Sequence, residues 1–485
     1  MTPFGDMIEN INKIHDLVFQ KQRINYEDEK FIYVWLYRFR ACLASLFEYL
    51  ATKDIDFCLP ILLEILEKVL PYKILLNQLL WVFINFTSNR EICKDFIFPG
   101  YKFIENLKKV FGMYEYHDCP SLYENIYWLL GNLSSESDEI RNLVLSNDFI
   151  THLTYLMTEK NLKLRSYSVN TFTYCLFCIV RTKIPEDMLE NFECITDTLK
   201  LLFYVRDDPE TLDLALLTYK HLTFNAPWDS SLFDKLVDEE VIELLLGDSL
   251  EMKNNSRYTF TPKEVLSTLI NISSGDNRYT TMLLQNNWVN YLLKRFYNSR
   301  VEIKILIMHC LQNMTDTSIE NLQCIIDDQV IFTMLAYCFN TCQDTRLIIN
   351  CIGCVNNIWI YADQEGVSEV IRHDLIKFIL TQIHRMGHLD KIETSLICFK
   401  NFLARTDHYN NCVDYFIEVK GRDIIEDAQD WIKNNKILDT ISFILVKYFD
   451  AEGKVDYVHC VEEHSQNGTC SDYIKWRNNN SRYHF

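Results

Sequence analysis

The sequence predicts an all-α solenoid, built from stacked helical repeats rather than separate globular domains. Helix breakers are scarce, with 12 Gly and 9 Pro among 485 residues, far below the ordinary share of about 12%. Apolar residues make up 48% and aromatic residues 13%, enough for a continuous core and too much for a disordered chain. One pattern also recurs along most of the chain, with a period of about 45 residues.

In chain order, residues 1–30 read as a partial N-terminal cap and residues 31–454 as the solenoid. Residues 31–70 are apolar and helix-patterned, a first unit. Eight copies of a common unit follow. Each has a long apolar helix with a polar residue near its end, then a Ser/Thr/Asp cluster, then an amphipathic run. Aligned on that polar column, the copies fall on Asn85, Asn132, Cys178, His221, Asn271, Asn313, Asn357 and Asn401, at intervals of 42 to 50 residues. This is the armadillo/HEAT range rather than the shorter tetratricopeptide or ankyrin range. One unit cannot bury its apolar face alone. About 8–10 stacked units would share one core and form a right-handed superhelix with a concave groove. From about Val455 the chain turns polar and irregular, so residues 455–485 read as a tail.

Composition narrows the function. The net charge of −19 disfavours direct nucleic-acid binding or an anionic membrane surface, both of which need a positive field, and it favours basic partners. No apolar run reaches membrane-spanning length. The N-terminus lacks the basic-then-apolar order of a signal peptide, so an intracellular location is expected. The 17 cysteines are scattered, and the pairs Cys175/Cys178 and Cys351/Cys354 lie inside helical patterns. They read as small core hydrophobes rather than zinc ligands. No nucleotide, hydrolase or metalloprotease motif is present, so neither catalysis nor a cofactor is expected.

The most specific signal is a pair of motifs, Trp81-Val-Phe-Ile-Asn85 and Trp128-Leu-Leu-Gly-Asn132. On a helix, i and i+4 share a face, so each Trp stands beside its Asn. An Asn amide offers a donor and an acceptor, and a column of them could clamp an extended peptide backbone. Parallel indole faces would form slots for Lys or Arg stems and attract their cationic ends, at about 0.5–2 kcal/mol per contact. Tyr174, in the third copy, could still stack. Ser88 and Ser134 could add hydroxyls to the groove, although both read better as turn residues.

These residues resemble the importin-α family of armadillo nuclear-transport adaptors, over roughly residues 70–440. WVFINFTS is similar to that family's W-A-L-x-N-(I/L)-A-S. WLLGNLSSESDEIRNLVL is similar to its W-A-L-G-N-I-A-G-D-S-x-x-x-R-x-x-V-L. The resemblance implies a groove that binds cargo proteins through Lys/Arg-rich nuclear localisation signals, with the protein acting in cytoplasm and nucleus. It places Glu136 opposite the anchoring lysine. It also extends the peptide-binding column to Asn271, Asn313 and Asn357. There the Trp partners have become His309 and Gly353, so the family's second, minor site is expected to be degraded. Tyr174/Cys178 and Leu217/His221 depart from the pattern as well, and Trp359 reads as packing. The family's basic importin-β-binding arm has no counterpart, because residues 1–30 hold only Lys13, Lys21, Arg23 and Lys30 as basic groups. Binding of importin-β in the usual way, and autoinhibition by the N-terminus, are therefore not expected. The alternative is an armadillo-type scaffold for other protein partners.

Overall fold

The computed structural model describes residues 3–21, 23–46, 52–87, 96, 102–157, 166–204, 208–251, 262–327, 329–385, 388–405 and 412–449. Among these, every regular element is helical. The chain divides into two compact units, Met1–Leu236 and Val237–Phe485. The tail read at 455–485 lies outside the described residues.

In the first unit five long helices stack in chain order: Tyr26–Leu46, Lys73–Phe86, Pro120–Glu136, Ser166–Val180 and Pro209–Asn225. Shorter helices between them form the outer layer. Pro3–Gln20 caps the start by packing on Thr52–Val69 and on Tyr26–Leu46, with Ile11, Ile14 and Val18 buried. The second unit repeats the plan with Pro262–Ser273, Val301–Thr315, Thr345–Tyr361, Leu389–Ala404 and Asn435–Phe449, each packed on the next. This is the armadillo-type solenoid that the 45-residue period predicts.

The local sequence explains the turns. The polar clusters after the long helices supply N-caps for the short helices that follow. Ser137 Oγ accepts from Ile140 N, Ser318 Oγ from Asn321 N, and Asp363 Oδ1 from Gly366 N, each satisfying an otherwise orphaned donor. The backbone also turns through the left-handed region at Lys102, Asp148, Asn287, Gln329, Asp374 and Lys420. None of these is Gly. Asn and Asp tolerate that conformation, whereas Lys and Gln are strained in it.

The long helices inside each stack are buried over most of their surface. In Lys73–Phe86, Leu75, Leu76, Leu79, Leu80, Val82, Phe83 and Phe86 have no exposure, while Trp81 and Asn85 are half-buried. Each such side chain contributes about 1.5–3 kcal/mol on burial.

Hydrogen bonds about one period long tie neighbouring repeats. Asn85 Nδ2 donates to Arg40 O (3.2 Å), Asn225 Nδ2 to Val180 O (3.2 Å), Asn313 Nδ2 to Ile270 O (3.1 Å) and Asn357 Nδ2 to Gln312 O (2.9 Å). Arginines do the same at helix ends. Arg181 donates to Ser135 O (3.0 Å), and Arg405 donates to Ala362 O (3.1 Å) and also to Trp359 O. Each arginine satisfies carbonyls at or just past the end of the preceding long helix, which have no partner within it.

Candidate functional site

Three consecutive long helices of the first unit build one pocket of about 390 Å³. Lys73–Phe86 supplies Trp81, Ile84 and Asn85, and its C-cap Thr87 joins them. Pro120–Glu136 supplies Trp128, Asn132, Ser135 and Glu136, and Ser166–Val180 supplies Tyr174. The i, i+4 spacing sets Trp81 beside Asn85 and Trp128 beside Asn132. Gly131 lets the third helix close in. A Cβ at this position would lie 3.1 Å from Cys175 Cα and 3.3 Å from the Tyr174 ring, so a side chain here would push out the pocket's third wall.

The indoles do not lie parallel, as the sequence reading expected. Their centroids are 5.3 Å apart and their planes cross at 70°. The positive edge of one ring meets the negative face of the other, the arrangement that ring quadrupoles favour. The two rings therefore form one apolar wall, with no slot between them.

The polar groups form a connected set. Asn132 Nδ2 donates to Thr87 Oγ1 (2.8 Å), and Tyr174 Oη donates to Asn132 Oδ1 (3.0 Å). Ser135 Oγ donates to Asn132 O (2.9 Å) and lies 3.2 Å from Glu136 Oε1. Burial first, then the neighbouring Cys178, holds the Tyr174 phenol well above its ordinary range, so it stays a neutral donor. The carboxyl group of Glu136 and the Asn85 side-chain carbonyl are acceptors, and Glu136 is the one acidic side chain among the described residues of the lining. Such a pocket suits a cation bearing several donors and an apolar stem.

Six of the ten residues read from the sequence as peptide-binding line this pocket: Trp81, Asn85, Trp128, Asn132, Glu136 and Tyr174; a seventh, Ser88, lies outside the described residues. The other three do not. Asn271, Asn313 and Asn357 are 4%, 5% and 1% exposed, and Asn313 and Asn357 spend their amides on the preceding repeat. None of the three lines the pocket. The degraded Trp column has a physical counterpart: Gly353 leaves room for Gln312, whose Nε2 lies 2.4 Å from where a Cβ would be, and His309 is buried. Trp359 is fully buried against Phe402, 4.3 Å between centroids.

The sequence reading missed Ile84, Thr87 and Ser135, which lie on the same helix faces as the motif residues. It placed His221 in the fourth position of the polar column, whereas the tie to the preceding repeat comes from Asn225, one turn later. It missed Arg40, whose guanidinium carbon lies 5.2 Å from the Trp81 ring centroid. Cys175, Cys178, Cys351 and Cys354 are buried free thiols. Among the described residues no group of three His, Cys, Asp or Glu is placed to hold a metal ion, and no single helix is long and apolar enough to cross a membrane.

No protein-family model matches the sequence, and the comparison with curated proteins finds no match. Solved structures do match. An engineered protein from the Northeast Structural Genomics Consortium superposes with a TM-score of 0.69 at 14% identity, over 92% of this chain and 98% of its own. A designed armadillo repeat protein in complex with the peptide (KR)4 matches with a TM-score of 0.44 at 14% identity, over 51% of this chain and 96% of its own. A set of computationally designed armadillo repeat proteins for modular peptide recognition gives 0.44 and 14%, over 51% and 98%. At these identities the first likeness establishes the solenoid fold and nothing finer.

Proposed function

We propose that the first unit binds an extended, basic segment of a partner protein, seating a lysine side chain in the pocket walled by Trp81, Trp128 and Tyr174. The observation that carries this reading is the pocket's composition: two indoles and a phenol for the stem, with Glu136 as its one charge. An ammonium offers three donors and no acceptor, and this lining returns acceptors. The finer reading is a nuclear transport adaptor shuttling between cytoplasm and nucleus and carrying cargo with Lys/Arg-rich signals. It rests on the resemblance of the Trp81 and Trp128 motifs to importin-α. It includes no catalytic step, no cofactor, no nucleic acid and no membrane, and leaves importin-β outside the expected partners.

One observation favours the alternative, a scaffold for other protein partners. The amide of Asn132 is engaged at both ends within the chain, so it is less available to clamp a peptide backbone than the family pattern implies.

Titration of a labelled lysine-rich peptide tests the pocket. Trp128→Ala should weaken binding by about 1–2 kcal/mol, roughly five- to thirtyfold. Equal binding by the variant would overturn the pocket reading. The adaptor reading is tested separately, by accumulation of a fluorescent cargo in nuclei of permeabilised cells. A protein that binds the peptide but drives no accumulation would leave the scaffold reading standing and remove the adaptor.

A further inference from the structure

The long helices stack in the order Tyr26–Leu46, Lys73–Phe86, Pro120–Glu136, so Trp81 has a neighbouring helix on either side. Trp128 reaches it from one, edge to face at 5.3 Å. From the other comes Arg40, with its guanidinium carbon 5.2 Å from the Trp81 ring centroid and 5.2 Å from that of Tyr37. Arg40 Nη1 also reaches Gln78 Oε1 at 3.4 Å, and its carbonyl accepts from Asn85 Nδ2. The residue is thus held both by its backbone and by its side chain. At the far end of the pocket Arg181 donates to Ser135 O at 3.0 Å, next in sequence to Glu136. The row of aromatic groups is bracketed by two of the chain's own cations.

We infer that Arg40 is a specificity-determining residue, which fills the next cation position along the row from within the chain. The pocket then accepts one cationic side chain rather than a run of them. This deepens the proposed function and rests on it. A stacked guanidinium already occupies the quadrupole of Trp81 that a second ligand cation would need. A lysine next to the seated one would also meet a fixed like charge, which costs affinity. Arg181 sets the same limit on the other side.

The test uses two peptides of equal length, one with a single central lysine and one with three consecutive lysines. Both are titrated by calorimetry against the full chain in about 0.3 M salt, which screens the long-range field of a chain of net charge −19. The wild type should favour the three-lysine peptide by no more than about threefold, the statistical gain of three equivalent lysines. Arg40→Gln keeps a side chain that can bond Gln78 but removes the charge. It should raise the preference to roughly tenfold or more, with the single-lysine peptide within about twofold of wild type. Arg40→Lys retains the charge and should retain the wild-type preference, which separates selectivity from any loss of stability. A wild type that already prefers the three-lysine peptide by tenfold overturns the inference, as does Arg40→Gln binding with unchanged preference. Failure of both peptides to bind the wild type overturns the pocket reading itself, and this inference with it.

Discussion

The indole of Trp81 packs against that of Trp128 with centroids 5.3 Å apart and planes crossed at 70°. The two rings come from helices 47 residues apart in sequence, each with an Asn one turn on. Their contact turns what would be a ladder of slots into one wall of an open pocket. In the proposed function, the bound side chain therefore sits beyond the rings, where Tyr174 and Glu136 complete the lining.

The buried asparagines are expected to hold the repeats together rather than hold a ligand. Asn313 is 5% exposed and donates to Ile270 O at 3.1 Å. Asn313→Ala should lower stability by about 1–3 kcal/mol, because the Ile270 carbonyl loses a buried donor. Peptide affinity at the first unit should be unchanged. Chemical denaturation and peptide titration on the same sample check both parts, and a loss of binding without a loss of stability would reverse the assignment.

Lys420 has a φ of 61° and is exposed. A side chain in the left-handed region costs about 1–2 kcal/mol that glycine does not incur, partly offset by glycine's freedom in the unfolded chain. Lys420→Gly should stabilise the protein by about 0.5–1 kcal/mol, and Lys420→Val should destabilise it. Thermal unfolding of the pair decides, with opposite shifts as the expected result.

How much of this was legible in the sequence follows from the range of each interaction. The repeats were readable because stacking imposes one period on the apolar and polar columns, and every long helix from Lys73–Phe86 to Leu389–Ala404 ends near its expected column. Trp81, Trp128 and their asparagines were readable because i, i+4 is a local rule. The fate of Asn313 was not: the sequence marks the polar column but not its burial, and the tie to the preceding repeat forms at Asn85 and Asn313 alike. Arg40 shares no motif with Trp81, and their contact exists only once the helices stack. The left-handed turns at Lys102, Gln329 and Lys420 carry no glycine signal at all.

Acid should weaken the fold before most carboxylates are protonated. Burial holds His152 and His309 at about 4, below the ordinary 6.5. Between those values the unfolded chain binds protons that the folded chain refuses. Stability is then fully present above about pH 6.5 and falls as pH drops towards 4. His152 lies 3.8 Å from the Phe111 ring in a stack, so His152→Phe should fit and should flatten part of the decline. Melting temperatures at pH 7.5 and 5.0 check this; equal declines in the variant and the wild type would remove His152 from the account.

The most direct test of the pocket is charge reversal at Glu136. A labelled lysine-rich peptide is titrated at low and moderate salt against wild type, Glu136→Lys and, as a control outside the pocket, His309→Ala. Binding should fall at least about tenfold in Glu136→Lys, because repulsion replaces attraction at the ammonium. It should weaken with salt in the wild type, since part of it is charge pairing at an open surface. It should stay within about twofold in His309→Ala. Equal loss in both variants, or none in Glu136→Lys, would contradict the account and move the binding site away from Trp81 and Trp128.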